Sequence, residues 1–190
     1  MPSRLHQTLL FAKTFFKHPA MLGSLIPSSS YLSNHLLQQI DWREVRVVVE
    51  YGPGVGTLTW EILKRMRPEA TLVAIETQPD FVTYLREAFP DPRLRIVHGS
   101  AADIGKVFEQ LQLDSADCII SGIPYTTLDR EVRERILRES WRVLRPNGAF
   151  LVYQFTGAVL PYLRQVFGRV HQEYEPRNIL PARIFYCVRT

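Results

Sequence analysis

Cysteine is scarce in this chain: two occur in 190 residues, Cys118 and Cys187. Each lies within an apolar run that reads as a strand, so both are expected as buried, reduced thiols. That suits a cytosolic setting and excludes a disulfide framework. Neither cysteine belongs to a CxxC pair and the five histidines are scattered, so no metal site is expected. Acidic side chains are missing from residues 1–40, and the first is Asp41. The same segment carries Arg4, Lys13 and Lys17 together with His6, His18 and His35. Such a basic lead attracts an anionic surface, either lipid headgroups or nucleic acid. No apolar run approaches the roughly 18 residues that a spanning helix needs. Lys13 and Lys17 also break up what would be the apolar region of a secretion signal. Repeats and low-complexity linkers are absent as well.

What is present is a chain sized for one domain, 46% hydrophobic and 22% charged, with a net charge of +4. Leu5, Leu9, Ala12 and Phe16 recur at helical spacing, and Phe11 and Phe15 widen that face. Pro19 bounds this amphipathic helix. A second helix is expected from the Pro27-Ser28-Ser29-Ser30 cluster, whose hydroxyls suit an N-cap, to about Ile40. Beyond Asp41, strands expected at 45–50, 71–76, 93–98, 117–121 and 149–155 alternate with helices at 57–66, 80–89, 107–113 and 130–144. Two further strands are expected over 170–175 and 183–188. Alternation at this spacing predicts a mostly parallel seven-stranded sheet with helices on both faces. Residues 1–40 read as an amphipathic helical cap, and 41–190 as the α/β domain.

The first strand runs into Glu50-Tyr-Gly52-Pro-Gly54-Val-Gly56. A phosphate-binding P-loop would need GxxxxGK[ST]; Thr57 stands where its second glycine belongs, and no lysine follows. The dinucleotide fingerprint GxGxxG fails at the same residue. The pattern that stands, ExGxGxG at a strand end, resembles the S-adenosylmethionine loop of class I methyltransferases, whose fold is Rossmann-like. The resemblance implies cofactor contacts from Glu50, Gly52, Gly54 and Gly56, and from Glu76 at the end of the second strand, where a carboxylate takes the ribose hydroxyls. It places the adenine near His98-Gly-Ser100-Ala101-Ala-Asp103. The bound species would be S-adenosylmethionine, leaving S-adenosylhomocysteine after transfer.

The fourth strand ends in Ser121-Gly122-Ile123-Pro124-Tyr125, similar to the loop by which amino-methylating enzymes hold a nitrogen beside the methyl group. Methyl transfer is an in-line displacement in which positioning dominates. Ser121, which also borders the cofactor, and the carbonyls of Ile123 and Pro124 could receive an amine. Tyr125 could stack on a base or pack round a cationic nitrogen. Ribosomal RNA adenine dimethylases share this core, but their loop usually reads N-L-P-Y, and Ser-Gly stands here for Asn-Leu. They also carry a helical RNA domain after the core, whereas this chain ends soon after its last strand. Beyond residue 40 no aromatic-interleaved basic stripe argues for nucleic acid.

The short bacterial phospholipid N-methyltransferases resemble more of the chain. The shared elements are a basic amphipathic first helix, Gly23-x-x-x-Pro27-Ser28-Ser29, the ExGPGxG loop and the Ser-Gly-Ile-Pro loop. Leu144-Arg-Pro-x-Gly148, Gln154-Phe155-Thr156 and an Asn178-x-x-Pro-Ala-Arg183 element complete the set. The resemblance implies methylation of the amine of phosphatidylethanolamine and its methylated forms, by a cytoplasmic enzyme peripheral on an anionic membrane through its first helix. Tyr31, Tyr125, Tyr153, Arg177 and Arg183 are the candidates for headgroup contact. A tyrosine such as Tyr153 or Tyr125, Ser121 or water could take the amine proton, and the residues leave that choice open.

Overall fold

The structure is a computed structural model that describes residues 29–178 and 180–190. The expected helix over residues 5–16 and the stretch from Gly23 to Ser28 lie outside the described residues. Helix α1 is Ser30–Leu37; it starts in the expected serine cluster and ends short of Ile40. Ser29 caps it, its Oγ accepting the Leu32 amide at 3.2 Å.

The alternating region then runs β1 (Val47–Tyr51), α2 (Thr57–Arg65), β2 (Thr71–Glu76), α3 (Pro79–Ala88), β3 (Leu94–His98), α4 (Ile104–Leu111) and β4 (Ala116–Ser121). It continues with α5 (Arg130–Val143), β5 (Leu144–Gln154), α6 (Leu160–Phe167), β6 (Val170–Glu175) and β7 (Ala182–Val188). Two short 3-10 turns, Ala101–Asp103 and Tyr125–Thr127, follow β3 and β4.

Seven strands form one sheet in the order β3-β2-β1-β4-β5-β7-β6. Pairings from β3 to β5 are parallel, and β7 lies antiparallel between β5 and β6. The mostly parallel seven-stranded sheet is as expected. The largest boundary difference is at β5, which begins at Leu144 rather than 149. Leu144 pairs with Ala116 and Ala149 with Cys118, so the Arg-Pro-Asn-Gly turn is an irregularity inside the strand. Asn147 takes a positive φ of 60° there, and its amide donates to the Arg189 carbonyl.

Each face of the sheet buries its own core. Leu36, Val48, Ile62, Leu72, Leu85, Ile120 and Ile184 belong to one cluster, and Val49, Val73, Ile104, Ile119, Leu137, Phe150 and Phe185 to the other. The two clusters alternate along β1 and β4, which is why these strands read as unbroken apolar runs. The strand order reverses between β1 and β4, which opens a crevice beyond their carboxyl ends, the usual ligand position in open α/β sheets.

Candidate active site

The glycine loop leaves β1 in a conformation that L side chains rarely adopt. Gly52, Gly54 and Gly56 have φ of 70°, 55° and 76°. A Cβ on Gly52 would stand 2.9 Å from the Cγ2 of Ile123, so the loop lies against the Ser-Gly-Ile-Pro segment. A cavity of ≈150 Å³ occupies the crevice. Gly52, Gly54 and Glu76 line it on one side, Gly99, Ser100 and Ala101 on another. Ile75, Phe81, Ile123, Leu128, Val132 and Ile136 give it an apolar wall. A larger hollow of ≈370 Å³, lined by Glu134, Trp141 and Tyr162 among others, lies between α5 and α6 and shares no residue with the strand ends.

Glu76 closes β2 with its carboxylate at the cavity. Its Oε2 accepts the Gly54 amide at 3.2 Å, and its Oε1 accepts the amides of Thr77 and Gln78 at 2.8 and 2.9 Å. Burial raises its pKa, and those three backbone donors oppose the rise. A buried carboxylate, a glycine cradle and an apolar slot together fit a nucleoside with two vicinal hydroxyls and a flat base. They fit S-adenosylmethionine without a phosphate site.

Glu50 sits elsewhere. It is 2% exposed, is absent from the cavity wall, and accepts the Thr59 hydroxyl of α2 at 2.7 Å. Its side chain therefore braces the loop from behind, and of the two expected routes to the ligand's ammonium end, direct or through water, its absence from the cavity wall disfavours the direct one. Burial pushes its carboxyl up to about 7. An acid whose folded pKa lies above its unfolded value binds its proton more tightly when folded. The resulting stability is complete below about pH 4.5 and is lost as pH rises to about 7. For a shift of this size the loss amounts to roughly 3 kcal/mol. Glu50→Gln should therefore flatten the decline in stability between pH 5 and 8, as measured by urea unfolding. A decline as steep as that of the native chain would remove Glu50 as its cause.

The loop after β4 is held from several directions. Ser121 and Tyr125 are both fully buried, and their hydroxyls are 2.9 Å apart. Tyr125 packs in the core with Tyr51 and Phe150, so it cannot stack on a base or enclose a nitrogen. Ser121 likewise turns its hydroxyl into that core, because period-two alternation puts it on the face of Ile119. The Ile123 carbonyl accepts the Gln154 side-chain amide at 2.8 Å. The Pro124 carbonyl accepts both the amide and the hydroxyl of Thr127, at 3.0 and 2.9 Å. The Tyr125 carbonyl accepts from Arg133 at 3.1 Å, and the Arg133 guanidinium also lies 3.9 Å over the Tyr162 ring.

A second cavity of ≈140 Å³ adjoins the first across Pro124 and Thr127. Its wall is Gly122, Pro124, Thr126, Thr127, Tyr153, Gln154, Phe155 and Thr156, with no charged side chain. Tyr153 was among the expected site residues, and here it meets the loop. Counting back from Pro124 and Tyr125, the asparagine of the N-L-P-Y loop falls on Gly122, not on Ser121. A Cβ at Gly122 would stand only 2.1 Å from the Tyr153 hydroxyl oxygen. The space of a side chain at position 122 is thus filled from β5.

The remaining expected residues divide. Arg177 donates to Glu175 through Nε and Nη2, at 2.9 and 3.0 Å, and lies 4.6 Å over the Tyr31 ring. It holds the Glu175 carboxyl down at about 2. Both Arg177 and Tyr31 are therefore engaged in fastening α1 to β6, together with His35, whose ring nitrogens lie 2.5 and 3.0 Å from Glu173 and Glu175. Arg183 is exposed and pairs across strands with Gln154; its Nε would lie 4.0 Å from a Cβ at Gly157, just past the second cavity. The Ser29 amide donates to Asn178 Oδ1 at 2.9 Å, which joins the Pro-Ser-Ser element to the Asn-x-x-Pro-Ala-Arg element.

The methyltransferase domain family matches residues 48–148, from β1 through the turn inside β5. The chain belongs to the class I S-adenosylmethionine-dependent methyltransferases. S-Adenosylmethionine is the methyl donor of this methyltransferase. It is 34% identical over 180 residues, 94% of each chain, to the ornithine lipid N-methyltransferase of Singulisphaera acidiphila. It is 33% identical over 105 residues to ribosomal RNA small subunit methyltransferase A of Dehalococcoides mccartyi, covering 55% of this chain and 32% of that one. Among solved structures it resembles the precorrin-6y C5,15-methyltransferase of Geobacter metallireducens, with a TM-score of 0.65 at 15% identity, covering 83% of this chain and 88% of that one. The last likeness speaks for the fold alone.

Proposed function

We propose that this methyltransferase N-methylates the primary amine of an amino lipid at an anionic membrane surface. The observation that carries the reading is the second, uncharged cavity beside the cofactor crevice. Likeness to a lipid N-methyltransferase along nearly the whole chain supports it, whereas the likeness to the RNA enzyme is confined to about half the chain. Phosphatidylethanolamine and ornithine lipid share the necessary chemistry: a terminal primary amine, an anionic group nearby and two acyl chains. Phosphatidylethanolamine and its methylated forms are the acceptors read from the sequence; ornithine lipid is the acceptor named for the relative.

In this reading Gly52, Gly54, Glu76, Ser100 and Ala101 hold the cofactor, and Gly122, Ile123 and Pro124 separate it from the amine. Bound S-adenosylmethionine supplies an electrophilic methyl carbon: the amine lone pair takes it, the carbon–sulfur pair stays on sulfur, and the resulting ammonium sheds a proton. The uncharged wall favours the neutral amine, since burial away from a carboxylate disfavours the ammonium form. Arg183 offers an exposed cation near the cavity for the headgroup anion. The acid-free lead, mostly outside the described residues, would dock on headgroups, each Lys or Arg adding about 1 kcal/mol near the surface. Among the described residues no helix is long and apolar enough to cross a membrane.

Incubation with labelled S-adenosylmethionine tests the reading. The acceptors are anionic vesicles with phosphatidylethanolamine, anionic vesicles with ornithine lipid, ribosomal RNA, and vesicles lacking an amine. Label is expected in a lipid extract, with mass spectrometry counting the methyls added. Label in RNA alone would replace the reading with RNA methylation.

A further inference from the structure

We infer that Tyr153, standing in the gap that Gly122 leaves, is the residue that receives the acceptor amine and aims its nitrogen across Pro124 at the cofactor cavity. The inference rests on the amino-lipid reading and adds to it the group that selects and orients the nitrogen.

The geometry that carries it is local. A Cβ on Gly122 would meet Tyr153 Oη at 2.1 Å, Cζ at 2.5 Å and Cε1 at 3.0 Å. The tyrosine ring therefore lies against the loop backbone, its hydroxyl above the Cα of Gly122, in the wall of the second cavity. The ring is half-buried against the core face that holds Leu151 and Ile184, which fixes its direction. Any side chain at position 122 would displace the hydroxyl.

Four of the neighbouring polar side chains bond within the fold. The Ser121 and Tyr125 hydroxyls bond each other in the core. The Gln154 amide donates to the carbonyls of Ile123 and Tyr153, at 2.8 and 2.7 Å. The Thr127 hydroxyl donates to Pro124. A neutral phenol suits the task of meeting an amine. Its oxygen accepts one N–H of an uncharged amine and leaves the nitrogen lone pair free, whereas a carboxylate there would stabilise the ammonium and hold back the lone pair.

Two variants of the full chain test the assignment, assayed on vesicles of whichever amino lipid the native chain methylates. Tyr153→Phe removes one oxygen. It should lower kcat/KM for the lipid about 30- to 100-fold, the scale of losing a positioned contact at the reacting atom. Affinity for S-adenosylhomocysteine, read by calorimetry, should stay within about twofold of native because the phenol lies outside the cofactor cavity. Gly122→Ala should reproduce the loss by expelling the hydroxyl. A Tyr153→Phe chain within threefold of native turnover would overturn the assignment while leaving the amino-lipid reading intact. Loss of cofactor affinity alongside turnover would also overturn it, as collapse of the whole site. A native chain inactive on both lipids would overturn the reading and the assignment together.

Discussion

Glu76→Ala should weaken S-adenosylmethionine binding by about 100- to 1,000-fold. A hydrogen bond to a charged group contributes about 1.5–3 kcal/mol, and in the proposed reading the ribose would present two hydroxyls to this carboxylate. The three backbone amides of Gly54, Thr77 and Gln78 that Glu76 now accepts would also lose their partner. The glycine loop would then be less well held before any ligand arrives. Glu76→Gln separates the two effects. Its amide oxygen can still accept from Thr77 and Gln78, but its NH2 then faces the Gly54 amide, so thermal stability should fall less than in Glu76→Ala while affinity falls by an intermediate factor. Calorimetry with S-adenosylhomocysteine, paired with a melting curve for each variant, reads both quantities. Native affinity in Glu76→Ala would remove the residue from the site.

Gly56→Ala should destabilise the chain more than Gly52→Ala does. The Gly56 backbone has φ of 76°, which costs an L residue about 1–2 kcal/mol. The new Cβ would stand 2.5 Å from the Phe89 ring and 2.9 Å from Leu85 Cδ2, both buried in the core, and overpacking of that kind costs about 1–3 kcal/mol more. Together these predict a fall in Tm of roughly 5–15 °C for a chain of this size. Gly168→Ala is the control. Its φ is 72° but nothing lies within 4 Å of the added carbon, so only the backbone cost should appear. A loss at Gly56 no larger than the left-handed backbone cost of about 1–2 kcal/mol would show that the packing against Phe89 is not what makes Gly56 obligatory.

Most of the fold was legible because the sheet is parallel and buried on both faces. Apolar runs such as Val47–Tyr51 and Ala116–Ser121 announce strands whichever way they face. The same property hid the orientation of their last residues. When both faces are covered, hydrophobicity does not say which face is open at the strand end. Glu50 thus reads as a crevice residue although it faces Thr59, and Ser121 reads as an amine contact although it faces Tyr125. Glycine positions told more, since a run of three at alternate positions demands backbone that only glycine adopts readily.

One overlooked signal was in plain view. An acid two residues before an arginine occurs at five places, and at three of them, Asp41-Trp-Arg43, Asp91-Pro-Arg93 and Glu175-Pro-Arg177, it closes into a two-point ion pair. Arg177 was therefore spoken for by its own turn. Arg183 has no acid at that spacing and stays exposed. The meeting of Tyr153 with Gly122 had no local signal at all, because it depends on the pairing of β4 with β5 and on how far each strand extends.

The fastening of α1 to the β6–β7 hairpin carries a consequence for the order of events during synthesis. Ser29 and His35 leave the ribosome 138 to 151 residues before their partners Glu173, Glu175, Asn178 and Tyr186. The polar half of the helix's seat does not exist until the β6–β7 hairpin has been made. A nascent chain thus presents α1 well before the strands that seat it.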